Sequence, residues 1–205
     1  MTETRILNWQ LVVPDEEAPL LLLPAKGETV PGATVVRPDP VSLDMALSAG
    51  PYHGVVAPDL GEWGADGNGG VSSLLSRLAG AAGPDGWLFA SFANRRFPRK
   101  TRRTHGLRLG KALKLLRRAG MEKVTVYVPL PSHRQPAWLV PVERRSELDV
   151  FLRQMVFPYA PVSSRILSWV VSRGIQGGRR IALAAPHGLR VRFAPSYAIV
   201  ARRPE

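Results

Sequence analysis

The chain has 205 residues, enough for one good-sized core and not for two. It has no cysteine, which excludes disulfides, thiolate metal sites and a cysteine nucleophile, and suits a reducing cytoplasm. The net charge is +12, yet Arg95 to Arg118 alone holds eleven basic residues and no acid, and removing those eleven leaves +1 for the remainder.

The opening MTETRILNWQ has no basic segment followed by an apolar stretch, so no secretory signal is read there. The longest apolar runs are about half of the roughly 20 residues that a bilayer crossing needs. A soluble, cytoplasmic protein is expected. Arg5 to Val13 alternates loosely and reads as a strand, and Pro14 to Ala18 as a turn. Leu20 to Leu23 is a short continuous apolar run, the pattern of a strand buried on both faces. A second such strand is read at Ala33 to Val36, ending near Asp39. Val41 to Ser48 reads as a helix with Ser42 at its N-cap, and a third buried strand follows around Gly54 to Ala57.

GEWGADGNGG reads as loop, and Val71 to Ala82 as a helix. Gly83-Pro84-Asp85-Gly86 is a turn, followed by a strand at Trp87 to Ala93. Asn94 to Gly106 contains Pro98 and no periodicity, and reads as a loop. Leu107 to Ala119 is helical: Leu109, Ala112, Leu113 and Leu116 form its apolar stripe, and Gly120 stops it. Val124 to Val128 is another strand, and PLPSHRQPAW a proline-rich ordered loop. Ser146 to Val156 and Ser163 to Ile175 read as helices, and the end of the chain as short strands around a turn. Nothing divides the chain, so residues 1–205 are read as a single domain with a helical insertion at about 142–175.

Alternating strands and helices predict an α/β domain with a mostly parallel sheet and helices on both faces. Three features make the pattern specific. Pro51-Tyr52-His53 opens a hydrophobic strand, Gly83-Pro84-Asp85-Gly86 precedes the next, and Ala119-Gly120-Met121 ends the following helix. In order and spacing these resemble the second half of class I S-adenosylmethionine-dependent methyltransferases. The closing Ser196 to Arg203 segment is similar to that family's final antiparallel strand. The resemblance covers roughly residues 18 to 128 and the C-terminus. It implies a Rossmann-like methyltransferase fold with an antiparallel C-terminal strand, and S-adenosylmethionine as the cofactor of an active member. The segment after Val128 is similar to C-terminal regions of bacterial methyltransferase-like proteins of biosynthetic pathways.

That family holds its cofactor on a glycine-rich turn after the first strand, where the backbone approaches the ligand closely. The matching stretch here, Leu21 to Val36, puts Gly27 near the expected turn and Pro24 where the turn should tighten. Pro24 to Gly32 is nine residues with two prolines, whereas a parallel crossover with its helix takes at least about 10–12. The first crossover helix is therefore expected to be reduced or missing, and the cofactor site degenerate. By the resemblance, Asp39 matches the acid that binds the cofactor ribose, and Asp59 lies near the adenine or catalytic position. Turn chemistry at strand ends is the simpler account of both.

His53, His105, His133 and His187 are not at metal-ligand spacing, so no metal site is expected. Neither a G-x-S-x-G elbow nor a phosphate-binding P-loop motif is present. The basic block admits three readings: a solvated face, an anion-binding surface, or a nucleic-acid contact. The anion-binding residues would be Arg95, Arg96, Arg99, Lys100, Arg102, Arg103 and Lys111, holding a partner protein, an acidic peptide or a phosphorylated substrate. Only Phe97 interleaves an aromatic ring, which weakens a single-strand stacking platform. Following a strand, the Arg95 to Arg103 loop is expected at the rim of the site face, since open α/β sheets bind ligands beyond the carboxyl ends of their strands. The expectation is a non-catalytic, methyltransferase-like binding or scaffolding subunit of a bacterial biosynthetic pathway; the alternatives are an active methyltransferase with an unusual or partner-completed pocket and a nucleic-acid-binding protein.

Overall fold

The computed structural model describes residues 20–24, 33–36, 39–64, 69–96, 106–131, 136–154 and 183–205. Their strands are β1 (Leu20–Leu22), β2 (Ala33–Val35), β3 (Tyr52–Ala57), β4 (Ala82–Ala93), β5 (Lys123–Pro131), β6 (Pro136–Pro141) and β7 (Ser196–Arg202). The helices are α1 (Pro40–Ser48), α2 (Leu60–Gly64), α3 (Gly70–Ala81), α4 (Leu109–Arg118), α5 (Arg145–Gln154) and α6 (His187–Arg192). The strands form one seven-stranded sheet in the order β2-β1-β3-β4-β7-β5-β6. Strands β1 to β4 pair in parallel, β7 enters antiparallel between β4 and β5, and β6 lies antiparallel outside β5. This mainly parallel sheet with an inserted antiparallel last strand is the Rossmann-like methyltransferase fold.

Residues alternate between the two faces of a strand, and here both faces are apolar. Leu21, Val55, Leu88, Phe92 and Ile199 join Leu43, Leu74, Leu75, Leu78 and Leu116 from the helices in the larger core. Leu22, Val56, Trp87, Phe89 and Ala198 form a second cluster. A second layer of helices on that face would lie outside the described residues. Helix α3 is the main partner of the sheet because Val71, Leu74, Leu75, Leu78 and Ala79 fall on one side of it and are buried. Each such leucine contributes about 1.5–3 kcal/mol when fully buried. No helix among the described residues is long and apolar enough to cross a membrane.

Several expectations need correction. The helix after β2 begins at Pro40, and its N-cap is Asp39, which accepts a bond from the Ser42 N–H at 2.8 Å. Ser42 is thus the third helical residue, since proline at the first position leaves the preceding aspartate to cap. GEWG is not loop but α2. The Gly83 to Gly86 turn does form, with Asp85 at φ 54°, but inside β4. There the pairing with β3 jumps from Tyr52–Ala82 to Gly54–Trp87. The proline-rich loop after Val128 is largely a hairpin of β5 and β6. Pro129 and Pro131 lie beyond Tyr127, the last residue of β5 to pair with β7, so their missing N–H groups break no β7 ladder. In the segment before the last strand, His187 to Arg192 form α6 where a turn and a short strand are expected, and residues 179–182 lie outside the described residues.

Strands β1 and β2 do pair in parallel, Leu20 with Ala33 and Leu22 with Val35. Each is only three residues long, about 7–10 Å, so the return path between them is short. The crossover itself, like the expected Arg5 to Val13 strand and the Ser163 to Ile175 helix, lies outside the described residues. Of the helical insertion, α5 is described.

The last strand carries one more fixture. Just past β7, the Arg203 guanidinium donates at 2.8 Å to the carbonyls of Ala79 and Ala119, near the C-terminal ends of α3 and α4. Those carbonyls have no partner within their own helices, and a cation there also complements both helix dipoles. Arg203→Ala is expected to lower stability by about 2–3 kcal/mol, by the usual worth of hydrogen bonds to charged groups. Urea unfolding should show a lower midpoint with an unchanged slope.

Candidate functional site

The chain runs from β1 to β2 on one side and then crosses to β3 on the other, so the topological switch point lies between β1 and β3. The crevice beyond the carboxyl ends of these strands is where open α/β sheets place ligands. Pairing continues to the brink of it, with Leu23 N–H on the Val56 carbonyl at 2.9 Å and Val36 N–H on that of Leu22 at 3.0 Å. Helix α2 then rises from the end of β3. Its Trp63 is buried, 3% exposed, and the indole N–H donates to the Pro24 carbonyl at 3.3 Å. The indole therefore bridges the two strand ends across the switch point.

Both aspartates read as cofactor contacts sit on this edge, and both cap helices. Asp39 caps α1 as described. Asp59 is buried, and its Oδ1 accepts the N–H groups of Gly61 at 3.0 Å and Glu62 at 3.3 Å, capping α2. Ser91, on the neighbouring β4, donates its hydroxyl to the Pro58 carbonyl and ties β4 to the same turn.

At the carboxyl end of β4 stands Asn94, 4% exposed. Its amide nitrogen shares two protons among the carbonyls of Arg192 at 2.9 Å and Ala194 at 2.7 Å and the Tyr197 hydroxyl at 3.0 Å. Its Oδ1 accepts the Arg96 N–H at 3.0 Å, and its own N–H donates to Pro195 at 2.9 Å. The Tyr197 hydroxyl donates to the Val191 carbonyl at 2.6 Å. The base of the basic loop closes here too, as Leu107 N–H donates to Ala93 at 3.0 Å and Arg95 N–H to Leu107 at 3.4 Å. A side chain on Gly106 would come within 2.8 Å of the Ala93 carbonyl, so this closure requires glycine.

Of the predicted anion-binding residues, Arg95 is exposed and Arg96 partly so, both at the carboxyl end of β4, while Lys111 is exposed on the first turn of α4. Arg99, Lys100, Arg102, Arg103 and Gly27 lie outside the described residues, as do His105 and His133. His187 Nε2 is 3.0 Å from the Val142 carbonyl. No group of three or more potential metal ligands occurs among the described residues.

Trp63 and Asn94 were not legible as site residues. The start of α2 did leave a signal, an aspartate at Asp59 followed three residues later by Glu62, in the manner of a capping box. Asn94 left none, because its side-chain partners lie about 100 residues away in sequence.

No protein-family model matches the chain, and no curated protein matches its sequence. Among solved structures it is similar to a SAM-dependent methyltransferase from Archaeoglobus fulgidus, 13% identical, covering 83% of this chain and 76% of that one, with a TM-score of 0.42. It is also similar to phosphoethanolamine N-methyltransferase 2 from Haemonchus contortus, in complex with phosphomonomethylethanolamine and S-adenosylhomocysteine. That match is 14% identical, with a TM-score of 0.37, and covers 75% of this chain but only 34% of the relative's length.

Burial pushes the Tyr197 phenol up to about 12, against the opposing effect of its bond from Asn94. Between pH 10 and about 12 the unfolded chain releases this proton and the native chain keeps it. The native state then binds more protons, so stability present in full at neutral pH falls as pH rises through that window. Tyr197→Phe should remove this part of the alkaline fall and cost about 1–2 kcal/mol at neutral pH through the lost hydroxyl bonds. Denaturant titrations of both proteins across the window would measure the two effects.

Proposed function

We propose that the chain is a methyltransferase-fold protein with a degenerate cofactor site, acting in the cytoplasm as a binding or scaffolding subunit of a bacterial biosynthetic pathway. Its basic loop holds an anionic partner or substrate. The observation that carries this reading is the Trp63 indole, buried between the carboxyl ends of β1 and β3 and bonded to Pro24. The indole reaching across the switch point supports a site that does not hold S-adenosylmethionine in the usual way. Asp39 and Asp59, the acids available to a ribose or an adenine, are engaged in holding α1 and α2. The glycine-poor stretch around Gly27 supports the same reading from the sequence.

Calorimetry of the isolated protein with S-adenosylmethionine and S-adenosylhomocysteine tests the first half, and no micromolar binding is expected. Micromolar affinity for either would overturn it. For the second half, Arg99, Arg102 and Arg103 are reversed to glutamate together and binding of a polyglutamate peptide is followed. A loss of about tenfold or more is expected, since like charges across an interface are strongly disfavoured; unchanged binding would defeat the basic-loop assignment.

A further inference from the structure

We infer that the carboxyl end of β4 and the end of α6 form one docking surface for an acidic, amphipathic peptide segment of a partner protein. The inference rests on the anionic-partner reading and names the partner's chemistry.

Two long stretches of the chain carry no acid, one between Asp85 and Glu122 and the other between Asp149 and Glu205. The fold brings them together at Asn94. Its bonds to the Arg192 and Ala194 carbonyls fix the end of α6 at the end of β4, and the backbone bonds of Leu107 to Ala93 and Arg95 bring the chain at Arg108 to the same strand end. Arg95, Arg108 and Arg192 are exposed and make no ion pair among the described residues. Other cations are paired, Arg77 with Asp44 away from this surface and Arg190, two residues before Arg192 on α6, with Asp149.

Asp149 beside α6 is taken up by Arg190 and Glu147 by Arg144, and three further acids stand at the far end of the strands. Asp85, Glu122 and Glu205 line a cavity of about 380 Å³ with Lys123, Arg202 and Arg203. Past the turn that holds Asp85, β4 advances six residues from Trp87 to Ala93, about 20 Å at 3.3 Å per residue. That is more than twice the screening length of about 8 Å at physiological salt, so Asp85, Glu122 and Glu205 do not neutralise the cationic end.

Charge alone would suit any polyanion, but the surface is also apolar. Leu189 and Phe193 are 43% and 51% exposed, and a spacing of four places them on one side of α6. Phe193 adjoins Arg192 in the chain. A bare polyanion leaves both side chains in water, whereas a segment that alternates acids with large apolar residues covers them and meets the arginines together. One exposed ring is too few for the stacked bases of single-stranded nucleic acid.

Fluorescence anisotropy would compare three labelled probes on the full chain: a Glu/Leu amphipathic peptide, a polyglutamate peptide of equal charge and an oligo-dT. The Glu/Leu peptide should bind about tenfold more tightly than polyglutamate. Leu189→Ser with Phe193→Ser should erase that advantage and leave polyglutamate binding unchanged. Reversing Arg95, Arg108 and Arg192 to glutamate should weaken both peptides. Because all five side chains are exposed, native thermal unfolding is expected in both variants and would be checked. Equal binding of the two peptides, no effect of the double serine variant, or tighter binding of oligo-dT would each overturn the inference. If reversing Arg99, Arg102 and Arg103 abolishes polyglutamate binding while these variants change nothing, the basic loop stands and this surface does not.

Discussion

A strand that enters a sheet between two others must satisfy both of its edges at once, because any buried N–H or carbonyl left over costs free energy. Strand β7 meets this condition along its whole length against β4 and over most of it against β5. It is also the last strand in chain order, so neither β4 nor β5 has its inner neighbour until the rest of the domain is made. The two ends of β7 are pinned by different devices. Asn94 gathers the residues that lead into it, and Arg203, just beyond it, takes up the free carbonyls of two helix ends. Contacts of such sequence separation make formation of this half of the sheet slow relative to local helix formation.

The same insertion arranges the chemistry of the two halves of the carboxyl edge. Around β1, β2 and β3, Asp39 and Asp59 cap the helices that follow β2 and β3, and an indole reaches across the switch point. Around β4 and α6 the edge is open and cationic, with exposed apolar side chains beside the arginines. The sheet and the described helices follow one another in the order of the Rossmann-like methyltransferase fold.

Much of the scaffold was legible because it rests on local pattern. The continuous apolar runs at Leu20 to Leu23 and Gly54 to Ala57 mark strands buried on both faces, and the leucine spacing of α3 marks a helix against them. Gly120 adopts φ 81° just after α4, as a stop residue does. Legibility failed where two local signals competed. Proline suggested loop over β5 and β6, yet a proline on the unpaired side of a strand costs no ladder bond. Glycine suggested loop over α2, yet Asp59 supplied a cap strong enough to start a short helix. At the end of the chain, α6 was hidden because six residues of mixed polarity carry no period that distinguishes helix from strand.

By itself the sequence determined the fold class, most of the strands and helices, the glycine-poor first turn and the concentration of charge. Each of these depends on residue type and spacing within a single segment. Only the tertiary structure decided that Trp63 bridges the crevice, that Asp39 and Asp59 serve as caps, and that Asn94 joins two acid-free stretches into one surface. Those facts depend on which segments become neighbours, and neighbours as much as 100 residues apart are chosen by the pairing of the whole sheet rather than by the residues that happen to meet.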